Sequence, residues 1–323
     1  METLEPELIH IRDAVARGAD PRAFRAAAAA GHYVRVRRGV YASSRQWADA
    51  DDRGRHIARI RAVQAQLRTD SGMAAGYSAA AVHGIAVLRR FPDEVTLLTP
   101  YRGGGTAEPG VVRTSARWCA DHATQIGGLR VTRLERTVLD VVLRDGFEAG
   151  VATIDGVLRD GRVSRSSLDD FLAEWRPRSG ADRIRAALDA ADPASESFGE
   201  SMARAVIRRL GFEAPELQAR FVDDQGEIRT DFFWRGVSVV AEFDGKVKYT
   251  RPELTGGDPA SVVWREKLRE DRLRRQVRTV VRFSWDDVRD PRRVARLLDT
   301  AGVSRSGHRS VRPDARARVS MTA

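Results

Sequence analysis

Cysteine is almost missing from this chain. Cys119 is the single one in 323 residues, which excludes a disulfide framework and a Cys-based zinc site. Lysine is scarce as well: of 55 basic residues only Lys246, Lys248 and Lys267 are lysine. All the others are arginine, a bias that GC-rich coding produces without selection for function. No apolar run approaches the roughly 20 residues of a membrane span. The opening METLEPELIH carries acidic residues where a secretory signal carries positive charge before an apolar stretch. These absences lead to the expectation of a soluble, cytoplasmic chain.

What is present bounds the rest. A hydrophobic content of 42% excludes a wholly disordered chain, and 323 residues suffice for two domains at about 150 residues each. The net charge of +10 and a sequence pI near 10.6 point weakly to a polyanionic partner, since excess charge biases non-specific binding and says nothing of fold. From Val303 to Ala323, arginines at 305, 309, 312, 316 and 318 face Asp314 alone. That basic tail, without apolar periodicity, is expected to be disordered and to touch nucleic acid non-specifically.

In the N-terminal region, a helix is predicted over about residues 5–17. Asp20-Pro21 starts a second one, with Asp as cap and Pro at the first helical position. YVRVRRGVYA then alternates as two short strands around Arg38-Gly39. Helix, helix and basic hairpin is the order of a winged helix-turn-helix. In that reading Arg22 and Arg25 sit on the second helix, with Arg35, Arg37 and Arg38 on the wing as DNA contacts. A small structural cap with solvated arginines is the alternative. Further on, helices are predicted at 56–69 and from Ser78 to Gly84, a strand at 94–100, a glycine-rich loop at 101–110, a strand at 129–132 and a helix at 133–143. His83 and His122 lack partners at metal-ligand spacing and read as structural.

The stretches AGHYVRVRRGVYA (30–42), SAAAVHG (78–84) and TRLERTVLDV (132–141) carry a resemblance to the AbiEi-type antitoxin family of type IV toxin–antitoxin systems, covering about residues 5–145. The resemblance implies a winged helix that binds promoter DNA and a following domain that counters a nucleotidyltransferase toxin. DNA and a toxin protein are thus the expected partners.

The C-terminal region concentrates acids. After a linker at 175–180 and a helix at 181–191, SESFGESMARAVIRRL (195–210) reads as an amphipathic helix carrying Glu196 and Glu200 on its polar flank. IRTDFFW (228–234) and VSVVAEFD (237–244) read as strands joined by a tight turn at Arg235-Gly236. With Trp234 facing Val237, Asp231 lies opposite Val240, Glu242 is its diagonal neighbour, and Asp231, Glu242 and Asp244 share one sheet face. Like charges gathered on one face call for a positive group, and Mg²⁺ or Mn²⁺ supplies it through oxygen ligands, with Glu200 available as a further one. Taken singly, each acid has an ordinary explanation, such as a helical Glu200–Arg204 pair. On the helix predicted from Trp264 to Gln276, arginines including Arg269 and Arg272 read as phosphate contacts or as members of a salt-laced surface.

GESMAR (199–204), ELQ (216–218), RTDFFW (229–234), VVAEFDG (239–245), REDRLR (269–274) and TVVRFSW (279–285) resemble the PD-(D/E)XK nuclease superfamily, in its very-short-patch-repair-like branch. The resemblance covers about 100 residues. It implies Asp231 and Glu242 as metal ligands, Glu200 as the helix acid, and hydrolysis of a DNA phosphodiester. Asp244 stands where a catalytic lysine is expected, leaving Lys246 and Lys267 as candidates for that cation. The expected class is α/β in the α+β sense. The expected division is 1–50 as a winged-helix-like DNA-binding domain, 51–178 as an AbiEi-like domain, 181–300 as a nuclease-like domain and 301–323 as the tail. The functional expectation is a Mg-dependent endonuclease fused to a DNA-binding region. A DNA-binding regulator or antitoxin with an inactive nuclease fold stands as its alternative, followed by a plain nucleic-acid-binding module.

Overall fold

The computed structural model describes residues 4–67, 72–100, 108–115, 119–245 and 259–306, with side chains from Trp264 onward in the last stretch. Lys246, Lys248, most of the glycine-rich loop and the tail beyond Ser306 lie outside the described residues. The described residues form α-helices and three sheets of mixed or antiparallel pairing, an α+β architecture. The chain divides into two compact units. The first runs to Arg144 and takes in Ser166–Ala181; the second comprises Asp145–Arg165 and the chain from Asp182.

The first unit opens with β1 (Leu8–His10), α1 (Ile11–Ala16), α2 (Pro21–Ala29), β2 (Tyr33–Arg37) and β3 (Val40–Ser43). The strands form an antiparallel sheet in the order β1-β3-β2. The helix expected over 5–17 is therefore shorter, Ile11–Ala16, with a strand, Leu8–His10, in front of it. Leu8, Ile9 and His10 pair with Ala42, Tyr41 and Val40, and that long-range pairing overrides local helix propensity. Asp20 caps α2 by accepting from the Arg22 amide at 2.8 Å. Phe24 of α2 stacks on Tyr33 at 4.6 Å and meets Tyr41 edge-on at 5.1 Å, which fastens the helix to the hairpin. Gly39 turns that hairpin at φ +74, a conformation that favours glycine.

The unit continues through α3 (Ser44–Asp49), α4 (Asp52–Gln64), β4 (Met73–Ala74), α5 (Tyr77–His83), β5 (Val95–Leu98), β6 (Val111–Thr114), β7 (Ala123–Ile126), β8 (Leu129–Thr132) and α6 (Leu134–Asp145). Its second sheet has the order β6-β5-β4-β8-β7. Ile57, Ile60 and Val63 of α4 pack with Val82, Leu97 and Val131 in one core. Polar groups buried here are closed against each other. His56, wholly buried, places Nδ1 2.7 Å from the Pro92 carbonyl and Nε2 2.9 Å from the Ser78 hydroxyl. Burial pushes its pKa down to about 4, so the ring is neutral. His83 lies 2.7 Å from the Thr132 carbonyl, and His122 sits against the Arg136 guanidinium at 3.2 Å. Both histidines expected to be structural have such partners.

The second unit begins with α7 (Phe147–Arg159). The next helix, α8 (Arg165–Trp175), lies almost wholly in the first unit, and α9 (Ala181–Ala190) returns to the second. Then come α10 (Phe198–Arg209), β9 (Glu216–Asp223), β10 (Gly226–Trp234), β11 (Val239–Asp244), α11 (Pro259–Arg274), β12 (Thr279–Ser284), α12 (Trp285–Arg289) and α13 (Pro291–Ala301). The sheet order is β12-β11-β10-β9, antiparallel except where β11 runs parallel to β12. A parallel pair needs a crossover, which α11 supplies. Leu273 of α11 and Val277 pack on Phe233, Val240 and Ala219.

The tight two-residue turn expected between β10 and β11 is corrected. Arg235–Val237 form a short 3₁₀ turn and Ser238 follows at φ +52. The pairs are Trp234 with Val239, Phe233 with Val240 and Phe232 with Ala241. Two more residues enter the connection than a tight hairpin holds. Pairing slips by an even number, so the expected faces survive.

Candidate functional site

Carried one residue beyond Phe232–Ala241, the register sets Asp231 across from Glu242 rather than diagonal to it. The Asp231 carboxylate reaches over the gap and accepts from the Phe243 amide at 2.7 Å. Glu200 enters from the first turn of α10, where Ser197 caps the helix by accepting from the Glu200 amide at 3.1 Å. The helix approaches β11 closely because residue 199 is glycine: a Cβ there would lie 2.0 Å from the Phe243 ring.

The three acids have different partners. Glu200, 9% exposed, accepts from the Glu196 amide at 2.8 Å and from the Gln218 side-chain amide at 3.0 Å. The helical Glu200–Arg204 pair that the sequence left open does not form. Arg204 turns instead to the wholly buried Asp155, donating at 2.6 Å. Glu242 is bridged to Arg269 of α11, which also donates to Glu266 at 3.2 Å and to the Arg229 carbonyl at 2.9 Å. Among the described residues no such cation sits on the Asp231 carboxylate. Burial pushes its pKa up to about 7, and the charges of Glu200 and Glu242 push the same way; the Phe243 amide and Arg269 only partly offset them.

Asp244, half-buried, pairs in register with Ser284 of β12 and shares the face of Glu242 by alternation. Lys246 lies outside the described residues, and Lys267 is exposed on α11. Arg269 and Arg272, expected to face phosphate, are engaged within the protein: Arg272 holds Asp223 at 2.8 Å and the Gly226 carbonyl at 2.8 Å.

As oxygen donors the three acids are of the type a hard divalent cation takes, but they are not placed to enclose one. All three side chains are carboxylates, and among the described residues two of them accept only from neutral N–H groups. Glu242 must exchange Arg269 for that cation, and among the described residues no three His, Cys, Asp or Glu side chains gather closely enough to enclose one. Gln218 lies in the ELQ stretch that carries the resemblance, but the sequence reading gives it no role in the site; only its contact with Glu200 marks it.

A second candidate surface lies in the first unit. Arg22 and Arg25 on α2 and Arg35 and Arg38 on the hairpin are exposed. Arg37 is not part of that surface: it is ion-paired with Glu108 and donates to Gln66 at 2.8 Å. Burial, then the neighbouring Arg113, lower its pKa from the ordinary arginine value.

Comparison with known proteins places residues 72–190 in a match to the AbiEi antitoxin C-terminal domain. Two curated Mycobacterium tuberculosis proteins, uncharacterized proteins MT2308 and Rv2248, are each 32% identical over 183 residues, covering 55% of this chain. The chain spans 65% of the length of each. Among solved structures, the RV2827C protein of Mycobacterium tuberculosis aligns over 58% of this chain and 74% of its own, at 21% identity and a TM-score of 0.38. The family match ends at residue 190, before α10. Among the described residues no helix is long and apolar enough to cross a membrane.

Proposed function

We propose that this chain is a DNA-binding regulator of the toxin–antitoxin type. The match of residues 72–190 to the AbiEi antitoxin C-terminal domain carries the reading. It is supported by what precedes the matched stretch: strand, two helices and a hairpin in the sheet order β1-β3-β2, an order that suits the winged-helix reading, with four exposed arginines on α2 and the hairpin. In this reading residues 1–50 contact DNA, with α2 as the recognition helix and Arg35 and Arg38 on the wing. The AbiEi-like region faces a toxin partner.

A gel shift on DNA upstream of the chain's own coding sequence tests it. Wild type is expected to bind, and more weakly as salt rises. Arg22→Ala with Arg25→Ala, or Arg35→Ala with Arg38→Ala, should weaken binding at least about tenfold, because each arginine removed costs phosphate or base contacts. Arg37→Ala should change it little. Equal binding by wild type and both double variants overturns the reading.

The carboxylate site favours a second activity in the same chain, hydrolysis of a nucleic-acid phosphodiester with Mg²⁺ or Mn²⁺. Asp231, Glu242 and Glu200 would hold the cation, which when bound supplies an activated water and charge stabilisation at phosphorus. The chain's own contribution would be to bring carboxylates from α10, β10 and β11 to one side and, among the described residues, to hold Glu200 and Asp231 by N–H groups rather than by arginine. Arg269 is the partner that Glu242 would have to give up to hold a cation. Plasmid nicking with Mn²⁺ that is lost in Glu242→Ala supports this activity. Equal inertness of the two, with DNA binding intact, leaves the regulator alone.

A further inference from the structure

We infer that the outward face of α11 is a stacking platform for single-stranded nucleic acid, with Trp264 as the ring on which a base lies. The platform is separate from the winged-helix contact proposed for the first unit, and it needs no metal ion.

Trp264 is 59% exposed, and among the described residues no other large aromatic side chain is left so open. Trp175 and Trp234 are buried, and Trp47 and Trp285 are half-buried. Leu268, 42% exposed, stands one helical turn on from Trp264. At about 100° of turn per residue, Asp271 and Arg275 complete the same stripe and Lys267 borders it. Arg275 keeps to this face beyond the end of α11, because its guanidinium donates to the Asp271 carbonyl at 3.3 Å. The exposed cations Arg265, Lys267 and Arg275 outnumber the exposed acid Asp271, so the outward side is positive.

The inward side of the helix shows why that charge is available. Glu266 and Glu270 are matched there by Arg269, Arg274 and Arg282. Arg269 also meets Glu242, and Arg272 holds Asp223. The acids of the helix other than Asp271 are thus spent against arginines of the same fold. What remains outside is an open indole and a leucine beside cations, the composition of surfaces that follow a phosphate backbone and stack its bases.

The size of the face selects its occupant. A stable protein interface covers about 800 Å² on each partner around an apolar core. Two apolar side chains bordered by Asp271, Lys267 and Arg275 do not supply such a core. A second copy would lay one positive face against another. A base needs a single ring, and the cations suit the phosphates on either side of it. Within a duplex the base faces are already stacked on each other, so the platform selects unpaired strands.

Fluorescence polarisation of a labelled oligothymidylate with the full chain tests this, beside a duplex of equal length, a thermal melt and sedimentation. Trp264→Ala should weaken oligothymidylate binding about tenfold, the scale of losing one stacked base. Trp264→Phe, which keeps a ring, should stay within about threefold of wild type. Neither should change duplex binding or the melting temperature. Lys267→Ala with Arg275→Ala should weaken oligothymidylate binding and flatten its salt dependence. Absence of oligothymidylate binding by wild type, equal binding by Trp264→Ala, or Trp264→Phe no better than Trp264→Ala overturns the platform. So does a loss in Trp264→Ala that extends equally to duplex or comes with a lower melting temperature. A wild-type dimer that Trp264→Ala dissociates would assign the face to a second copy instead.

Discussion

Arg136 in the first unit and Asp231 in the second are both charged groups withdrawn from water, and their surroundings are opposite. Arg136, 1% exposed, donates to Asp140 at 3.0 Å, meets His122 at 3.2 Å and lies over the Trp175 ring at 4.3 Å. Asp231 accepts one backbone amide at 2.7 Å and feels two further carboxylates. The first arrangement is closed: an opposite charge, a hydrogen-bond partner and an aromatic face surround the guanidinium. The second is open: like charges converge, and among the described residues no cation sits on the central carboxylate. A closed polar network stabilises a fold by satisfying what it buries. An open one is a cost that an outside ligand can offset, which is why strongly perturbed groups mark functional sites more often than scaffolds.

The largest expected effect tests the closed side. Arg136→Ala strands Asp140, whose carboxyl burial already holds above its ordinary pKa, and removes the Trp175 contact. Breaking one partner of a buried pair costs about 3–5 kcal/mol. Chemical denaturation that shows a loss below about 1 kcal/mol would mean that the network is not closed.

His56 belongs to the same closed class and predicts a pH dependence. Its folded pKa of about 4 lies below the unfolded value of 6.5. As pH falls below 6.5 the unfolded chain takes the proton first, so the stability contributed by neutral His56 is full above 6.5 and is lost between 6.5 and 4. At 1.36 kcal/mol per pKa unit the whole window amounts to roughly 3 kcal/mol. His56→Gln should flatten that part of the stability–pH curve relative to wild type. An unchanged slope would remove His56 as its source.

These contrasts also explain what the sequence could and could not say. The carboxylates of Asp231 and Glu242 were legible because strand alternation has period two, and the even register slip at Ser238 left their faces intact. The true hairpin connection was not legible, since Arg235-Gly236 looks like a tight turn and only tertiary pairing draws Val237 and Ser238 into the connection. TRLERTVLDV read as an apolar-faced helix, and so it is. That its Arg136 is buried depends on Trp175, thirty-nine positions on, which no local pattern announces. The same limit hid Asp155 as the partner of Arg204, and with it the reason Arg204 does not pair with Glu200. Leu8–His10 became a strand for want of any local signal, through pairing with β3.

A smaller effect probes how α10 delivers Glu200 to the open site. Gly199→Ala sets a methyl 2.0 Å from the Phe243 ring. Phe243 lies between Glu242 and Asp244 and meets Trp285 edge-on at 5.1 Å, so relief by moving β11 or α10 reaches the carboxylates. Overpacking of this kind costs about 1–3 kcal/mol. Because the shift separates Glu200 from Asp231, the raised pKa of Asp231, followed by carboxyl NMR, should fall toward its ordinary value. Retention of a pKa near 7 in the variant would show that Glu200 does not contribute to it.

The smallest effect has the opposite sign, and the sign carries the contrast. Asp231 has a folded pKa of about 7 against an ordinary 3.8. The native state therefore holds its proton over a range where the unfolded chain has released it. Above pH 7 the ionised carboxylate destabilises the fold, and the penalty is relieved as pH falls from 7 toward 3.8, the reverse of His56. Asp231→Asn removes the charge and keeps the shape, so it should stabilise the protein at pH 8 by about 1 kcal/mol, the pKa displacement being discounted for the solvent that reaches a half-buried group. The gain should vanish at pH 4, where wild type is protonated as well. Neutralising a charge thus strengthens the open site, whereas Arg136→Ala weakens the closed network. A gain in stability on losing a polar group is the mark of a residue kept for function. If Asp231→Asn destabilises at pH 8, Asp231 belongs with Arg136 as scaffold, and the distinction between open and closed arrangements fails at the residue on which it most depends.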